Sequence, residues 1–216
     1  MCSSDLARAL AEAMVSIGRH AGVRTEALLT DMSAPLGDAV GNALEIAECI
    51  QTLSGRGPAA LVDVVCRIAS RMVELAGLEA DPTAARARVD RALASGAALE
   101  RLARMIEAHG GDARITEDPS RLPSVSGRAA VTSPRAGYVC ALGAEAIGRA
   151  SHVLGAGREK LGDPVDHAVG VVVRAHPGAR VEAGQPIVEL HHRDGRGVDE
   201  ARRLVDRKST RLNSSH

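Results

Sequence analysis

Apolar residues recur every three or four positions through the first half of the chain, which is the spacing of an amphipathic helix. The first such pattern predicts a helix from Leu6 to His20, ended by Gly22. Later patterns predict four more helices, over 38–53, over 59–76, from Asp81-Pro82 onward and over 97–108. In the helix over 59–76 we expect one apolar face to point inward, formed by Leu61, Val65, Ile68 and Met72.

Two further patterns fix the predicted fold class. The segment from Val23 to Thr30 is predicted to be a buried strand. After residue 109 the composition loosens into a linker, and β-rich segments follow around one short helix at 144–153. The predicted strands cover 128–132, 138–142, 167–176 and 187–191. The chain is therefore predicted to be α/β: helices plus a buried strand from part of a larger α/β domain, then a smaller α+β domain.

Charge and composition narrow the classes of function. The 216 residues carry 27 basic and 27 acidic side chains, with no Trp, no Phe and one Tyr. Neutral charge argues against binding to nucleic acid or to a membrane surface, and the lack of aromatic residues excludes base-stacking platforms. No apolar run has the length of a membrane span. The four cysteines are widely spaced, which indicates reduced thiols and a cytoplasmic protein.

The two ends differ from the rest of the chain. Residues 1–5 can be encoded by a short DNA sequence whose reverse complement encodes Asp-Arg-Lys-Ser-Thr, the residues at 206–210. We interpret 1–5 and 206–216 as tags derived from a sequencing adapter, the alternative being two unrelated disordered termini. The protein proper then runs from about Leu6 to Val205.

Several familiar functional motifs are incomplete in this sequence. Gly155-Ala156-Gly157 lacks the third glycine of a dinucleotide-binding loop and is better explained by a tight turn. The eight histidines show no metal-ligand spacing, and His191 and His192 are expected to point to opposite faces of a strand. The hairpin from Val181 resembles the half-barrel of biotinyl and lipoyl carriers, but no lysine follows it.

Three blocks, in order, resemble the pyrimidine-nucleoside phosphorylase family, which includes thymidine phosphorylase. The first is Thr-Asp-Met at 30–32 followed by Pro-Leu-Gly at 35–37, and the second is Gly-Asn-Ala-Leu-Glu at 41–45. The third is Leu-Gly-Ala-Gly-Arg at 154–158 with Asp-Pro-Val-Asp-His-Ala-Val-Gly at 163–170, closed by the hairpin from Val181. Together they span essentially all of the chain between the suspected tags.

The resemblance implies a fold and an activity. Family members have a small α domain, a larger α/β domain and a hammerhead-like C-terminal domain. They form homodimers and transfer a pentosyl group: phosphate displaces the base of a pyrimidine nucleoside, giving (deoxy)ribose 1-phosphate. By this resemblance residues 6–109 are the C-terminal portion of the α/β domain, 110–127 a linker and 128–205 the hammerhead-like domain. The family's catalytic residues match no position here and are expected upstream of residue 1, so the chain is expected to be an inactive fragment.

The resemblance also carries over part of a potassium site. Members that bind potassium take ligands from a leucine, an alanine three residues later and a glutamate twelve residues after the leucine. The matching residues are Leu36, Ala39 and Glu48. Leu36 and Ala39 are expected to offer backbone carbonyls and Glu48 its carboxylate, which suits a hard cation. The alternatives are a solvated glutamate at a helix entry and, for the whole chain, a stand-alone binding module without catalysis.

Overall fold

The computed structural model describes residues 3–158, 160–208 and 210–213. Their contacts divide the chain into two compact units. The helical unit comprises Met1–Asp31 and Val64–Asp90, and the sheet unit comprises Met32–Asp63 and Arg91–His216. Of the suspected tags, residues 1–2, 209 and 214–216 lie outside the described residues.

Five helices form where the helical patterns predict them. They are α1 (Ser3–His20), α2 (Asn42–Leu53), α3 (Ala59–Leu75), α4 (Pro82–Ala94) and α5 (Ala97–Ala108). The start of α2 differs from the prediction, since Asp38 lies in the preceding loop and not in the first turn of the helix. Gly41 has φ 146° and ends the loop, and its N–H donates to the Glu45 carboxylate at 2.9 Å. That side chain supplies the acceptor that the helix start requires.

Antiparallel pairing builds the sheet unit. The strands are β1 (Ala39–Val40), β2 (Gly127–Thr132), β3 (Gly137–Leu142), β4 (Gly170–Val173), β5 (Arg180–Val181), β6 (Pro186–His192) and β7 (Thr210–Asn213). One sheet has the order β1-β4-β6-β2 and the other β5-β3-β7. Besides α2 and α5, the unit contains the helices α6 (Ala144–Ser151) and α7 (Val198–Lys208). The predicted α/β class with an α+β C-terminal region is confirmed.

Aliphatic side chains alone make the core of the sheet unit. Ile147 of α6, Val171 of β4, Leu190 of β6 and Ala201 of α7 are fully buried in one cluster. Val171 and Val173 of β4 and Val188 and Leu190 of β6 belong to this cluster, as the alternation of side chains predicts. Ile187 joins it at the point where the pairing of β6 with β2 shifts register. The core is thus closed by two helices on one sheet face, and it holds β4 firmly beside β1.

Two expectations for the helical unit are wrong. Residues 23–30 form no strand, and Leu28 and Leu29 are about half exposed. On α3, Val65, Ile68 and Met72 are exposed although we expected them to point inward. The physical reason is the same in both cases. A strand needs a hydrogen-bonded neighbour and an apolar face needs a covering layer, and the described residues of this unit supply neither.

Candidate functional site

The predicted ligands Ala39 and Glu48 meet at a loop that enters α2. Glu48 Oε1 accepts the Asp38 N–H at 2.6 Å and the Ala39 N–H at 3.1 Å. Its second oxygen lies against Gly37, where a Cβ would stand only 2.1 Å from Oε2. The loop is therefore shaped around the Glu48 carboxylate, and a side chain at position 37 would displace it.

The carbonyl of Ala39 faces the same way as its N–H. Val173 N–H donates to the Asp38 carbonyl at 2.7 Å, so Ala39 and Val172, the residues that face each other next along the strands, are a non-hydrogen-bonded pair. In an extended strand the N–H and C=O of one residue point to the same edge. Since the Ala39 N–H points to Glu48, its carbonyl also points away from β4, toward the edge where Glu48 lies.

Leu36 lies at the start of the same loop, with its side chain about two-fifths exposed. No hydrogen bond among the described residues ends on its carbonyl. Gly37, its chain neighbour, is what brings the loop against Glu48. A hydrogen bond thus joins Ala39 to Glu48, whereas Leu36 is linked to them through the backbone of the loop.

The electrostatics of the loop favour a cation. Burial raises the pKa of the Glu48 carboxyl above its usual value, and the nearby acids Asp38 and Glu45 act in the same direction. The two backbone N–H donors oppose that rise. Glu48 Oε2 accepts no hydrogen bond among the described residues. A carboxylate that is half-desolvated, surrounded by acids and left with one unused oxygen fits a hard cation.

Sequence reasoning missed two residues at this loop. Asp38 binds His176 through Oδ1, 2.6 Å from Nε2, and so ties the loop to the segment after β4. An aspartate just before a helix looks like a capping residue, and a histidine before Pro-Gly looks like a turn residue. The local sequence around either residue does not predict its contact with the other, because 138 positions separate them in the chain.

A second polar cluster that sequence reasoning missed lies on the sheet. Glu189 accepts from Arg128 at 2.9 Å and from Arg174 at 3.1 Å, and it binds His191 Nε2 at 2.6 Å. His191 is buried and His192 is partly exposed, so the two do face opposite ways. The pKa of His191 is lowered chiefly by burial, and Arg128 and Arg174 act in the same direction while Glu189 opposes them. In the part of the chain that the structure describes, no group of three or more His, Cys, Asp or Glu side chains is placed to hold a metal ion.

The glycines at 155 and 157 behave as turn residues. They close the π-helical segment His152–Ala156, where Gly155 has φ 111°, and a Cβ on Gly157 would stand 2.3 Å from the His152 ring. Asn42 of the second motif block donates to the Ala156 carbonyl at 3.2 Å. Two of the three motif blocks are thus in contact through a hydrogen bond from a side chain to the backbone.

Comparison with known proteins gives two family matches. Residues 1–99 match the glycosyl transferase family a/b domain, and residues 138–211 match the pyrimidine nucleoside phosphorylase C-terminal domain. The chain is 42% identical over 191 residues to the pyrimidine-nucleoside phosphorylase of Bacillus subtilis strain 168, covering 88% of this chain and 44% of that protein. For the enzyme of Staphylococcus aureus strain USA300 the values are 41% over 204 residues, 94% and 47%.

The chain therefore spans about half the length of the curated relatives it matches. Among the described residues, no helix is both long and apolar enough to cross a membrane. The two matched regions follow each other along most of the sequence, and the relatives at both of them are glycosyltransferase-type phosphorylases. The chain belongs to the pyrimidine-nucleoside phosphorylase family.

Proposed function

We propose that this chain is the C-terminal portion of a pyrimidine-nucleoside phosphorylase and is inactive by itself. The observation that carries the proposal is identity above 40% along nearly the whole chain to enzymes about twice as long. In the proposed reaction a phosphate oxygen bonds to the anomeric carbon while the bond from that carbon to the base nitrogen breaks. The base leaves with the bonding electrons, and its nitrogen takes up the proton that the attacking phosphate loses. The products are free pyrimidine and (deoxy)ribose 1-phosphate.

The proposed domain division is 6–109 for the α/β portion, 110–127 for the linker and 128–205 for the C-terminal domain, with tags at 1–5 and 206–216. The family matches support a boundary between the two domains, since one ends at residue 99 and the other begins at residue 138. They also run over residues 1–5 and 206–211, which this proposal assigns to tags. The proposal extends to a homodimer of the longer enzyme, in the cytoplasm, acting in nucleoside salvage.

The activity is tested with the 216-residue chain, alone and coexpressed with the N-terminal half of the B. subtilis relative. Free thymine and uracil are measured after incubation with thymidine or uridine and phosphate, and sulfate replaces phosphate as the control. We expect phosphate-dependent release only from the coexpressed halves. Release by the chain alone contradicts its proposed inactivity. Halves that associate firmly and release no base favour the binding-module alternative.

We further propose that Leu36, Ala39 and Glu48 hold part of a potassium site. Support comes from the unused Glu48 oxygen and from the Ala39 carbonyl at the same edge. A bound potassium ion supplies positive charge, which offsets the negative charge gathered at the loop. The residues of this chain orient the oxygens: β4 holds the loop on one side and α2 carries Glu48 on the other.

Thermal unfolding tests the cation site, because a ligand that binds only the native state raises the unfolding temperature. We expect potassium chloride to raise it more than choline chloride at equal ionic strength, and Glu48→Gln to abolish the difference. Glu145→Gln, an exposed helix glutamate paired with Arg149, serves as the control. An equal response in wild type and Glu48→Gln overturns the assignment.

A further inference from the structure

Asp38 uses every polar group it has. Its N–H donates to Glu48 Oε1 at 2.6 Å, its carbonyl accepts the Val173 N–H at 2.7 Å, and its carboxylate binds His176 Nε2 at 2.6 Å. Two of the three partners come from one short segment, β4 and the residues just after it. The loop before α2 is thus fixed from the C-terminal side of the sequence.

A single peptide group lies between the two sides. The carbonyl of Asp38 and the N–H of Ala39 belong to the same planar unit and point in opposite directions. One end bonds to Val173 in β4, and the other end bonds to Glu48 at 3.1 Å. Rotation of this plane would release both bonds and would swing the Ala39 carbonyl with them. What holds Asp38 therefore determines where the two oxygens of the proposed cation site lie.

We propose that His176 is a positioning residue for this loop: by holding the Asp38 carboxylate it fixes the peptide that orients Glu48 and Ala39. The inference rests on the cation site proposed above, but the bond itself is independent of any ion. His176 and Asp38 are roughly two-fifths exposed, with values of 37% and 46% for their side chains. An exposed pair of this kind is often energetically neutral, so its role depends on the backbone bonds beside it.

The test combines two measurements on three variants of the chain. His176→Ala removes the donor, His176→Gln restores an N–H of similar reach, and His109→Ala removes an exposed histidine that bonds only within its own helix end. Amide hydrogen exchange of Asp38, Ala39 and Val173 reports the loop. The rise in unfolding temperature between choline and potassium chloride reports the cation.

For His176→Ala we expect exchange at the three amides to quicken about tenfold, the scale of one lost hydrogen bond to a charged group. We expect the potassium concentration needed for half of the temperature rise to increase by a similar factor. His176→Gln should recover most of both effects, and His109→Ala should show neither.

Unchanged exchange and an unchanged potassium response in His176→Ala overturn the positioning role, while the cation site stands if wild type responds. If wild type ignores potassium but His176→Ala still exposes the three amides, the cation site is wrong and the loop clamp is supported. Equal losses in His176→Ala and His109→Ala also overturn the proposal, because the effect is then a general loss of stability.

Discussion

The helical and sheet units contain similar apolar residues, but the sheet unit buries them and the helical unit leaves many of them exposed. In the sheet unit, Leu142, Ile187 and Leu190 are no more than 2% exposed. In the helical unit the apolar stripe of α1 lies open, with Leu10 at 63% and Ile17 at 69% exposure. Both units have amphipathic elements of ordinary quality, so the local pattern does not explain the difference.

The two units differ in whether a second layer of structure covers the apolar face. The sheet unit stacks α6 and α7 on one face of four paired strands, which completes two layers. Among the described residues of the helical unit only Cys66, Ser70 and Ala85 are buried. A sequence stripe thus shows which residues share a face, while burial needs a second element to cover that face. Stability is expected to concentrate in the sheet unit, and four experiments test this difference between the units.

The largest expected effect is the loss of a core leucine. Leu190→Ala empties a fully buried position and should lower the free energy of unfolding by about 2–5 kcal/mol. Leu10→Ala removes the same atoms from an exposed face and should cost less than about 0.5 kcal/mol. Urea unfolding followed by circular dichroism measures both. Similar losses at the two positions would mean that the contrast between the units is wrong.

A smaller loss is expected where β1 and β4 approach each other. A Cβ on Gly170 would stand 2.4 Å from the Val40 carbonyl, so Gly170→Ala should cost about 1–3 kcal/mol. Gly148 of α6 has no atom within 4 Å of such a Cβ, so Gly148→Ala should stabilise the helix by about 0.5–1 kcal/mol. Opposite signs in the same unfolding assay support the packing; equal signs contradict it.

Acid should weaken the sheet unit through His191. Its pKa is lowered in the folded state by burial, so the unfolded chain binds the proton more readily. The stability from the neutral ring is complete above the ordinary value of 6.5 and is lost as pH falls below it. Glu189 adds to the loss at lower pH: its three donors outweigh burial and hold its pKa at about 2. His191→Gln should flatten the pH dependence of the unfolding temperature just below 6.5, and an unchanged slope refutes the assignment.

The smallest effect on stability is expected on the exposed faces of the helical unit. Leu10→Gln combined with Met72→Gln should leave the free energy of unfolding within about 0.5 kcal/mol of wild type. It should reduce self-association, measured by light scattering, because two exposed apolar stripes lose area. Leu161→Gln, at a fully exposed leucine in the sheet unit, is the control. Equal scattering from both variants would show that these stripes do not drive association.

Much of the fold could be predicted from the sequence. Periodicity located α5 at Ala97–Ala108 to the residue, and β2 and β3 within one residue at their starts. It failed for 23–30, because a segment of strand length does not show whether a neighbouring strand exists. It also missed β1, since Ala39–Val40 is too short to display alternation and is a strand only through β4.

The candidate site could be predicted in part. Spacing matched to the family named Glu48 and Ala39, and the structure brings them to within 3.1 Å. The bond between Asp38 and His176 could not be predicted, because no local pattern links positions so far apart. The same applies to Glu189, where polar side chains from β2, from β6 and from the residue after β4 meet only after the strands have paired.

The close approach of Gly41 and Gly170 has a consequence for how the family motifs are understood. A Cβ on Gly41 would stand 2.6 Å from the Val169 carbonyl, and one on Gly170 would stand 3.0 Å from the Gly41 Cα. Each glycine makes room for the backbone beside the other, so a smaller neighbour cannot rescue a substitution at either position. Gly170, the last glycine of the third block, and Gly41, the first glycine of the second block, therefore depend on each other for space. A chimera that exchanges the C-terminal domain between relatives would need glycine at both positions.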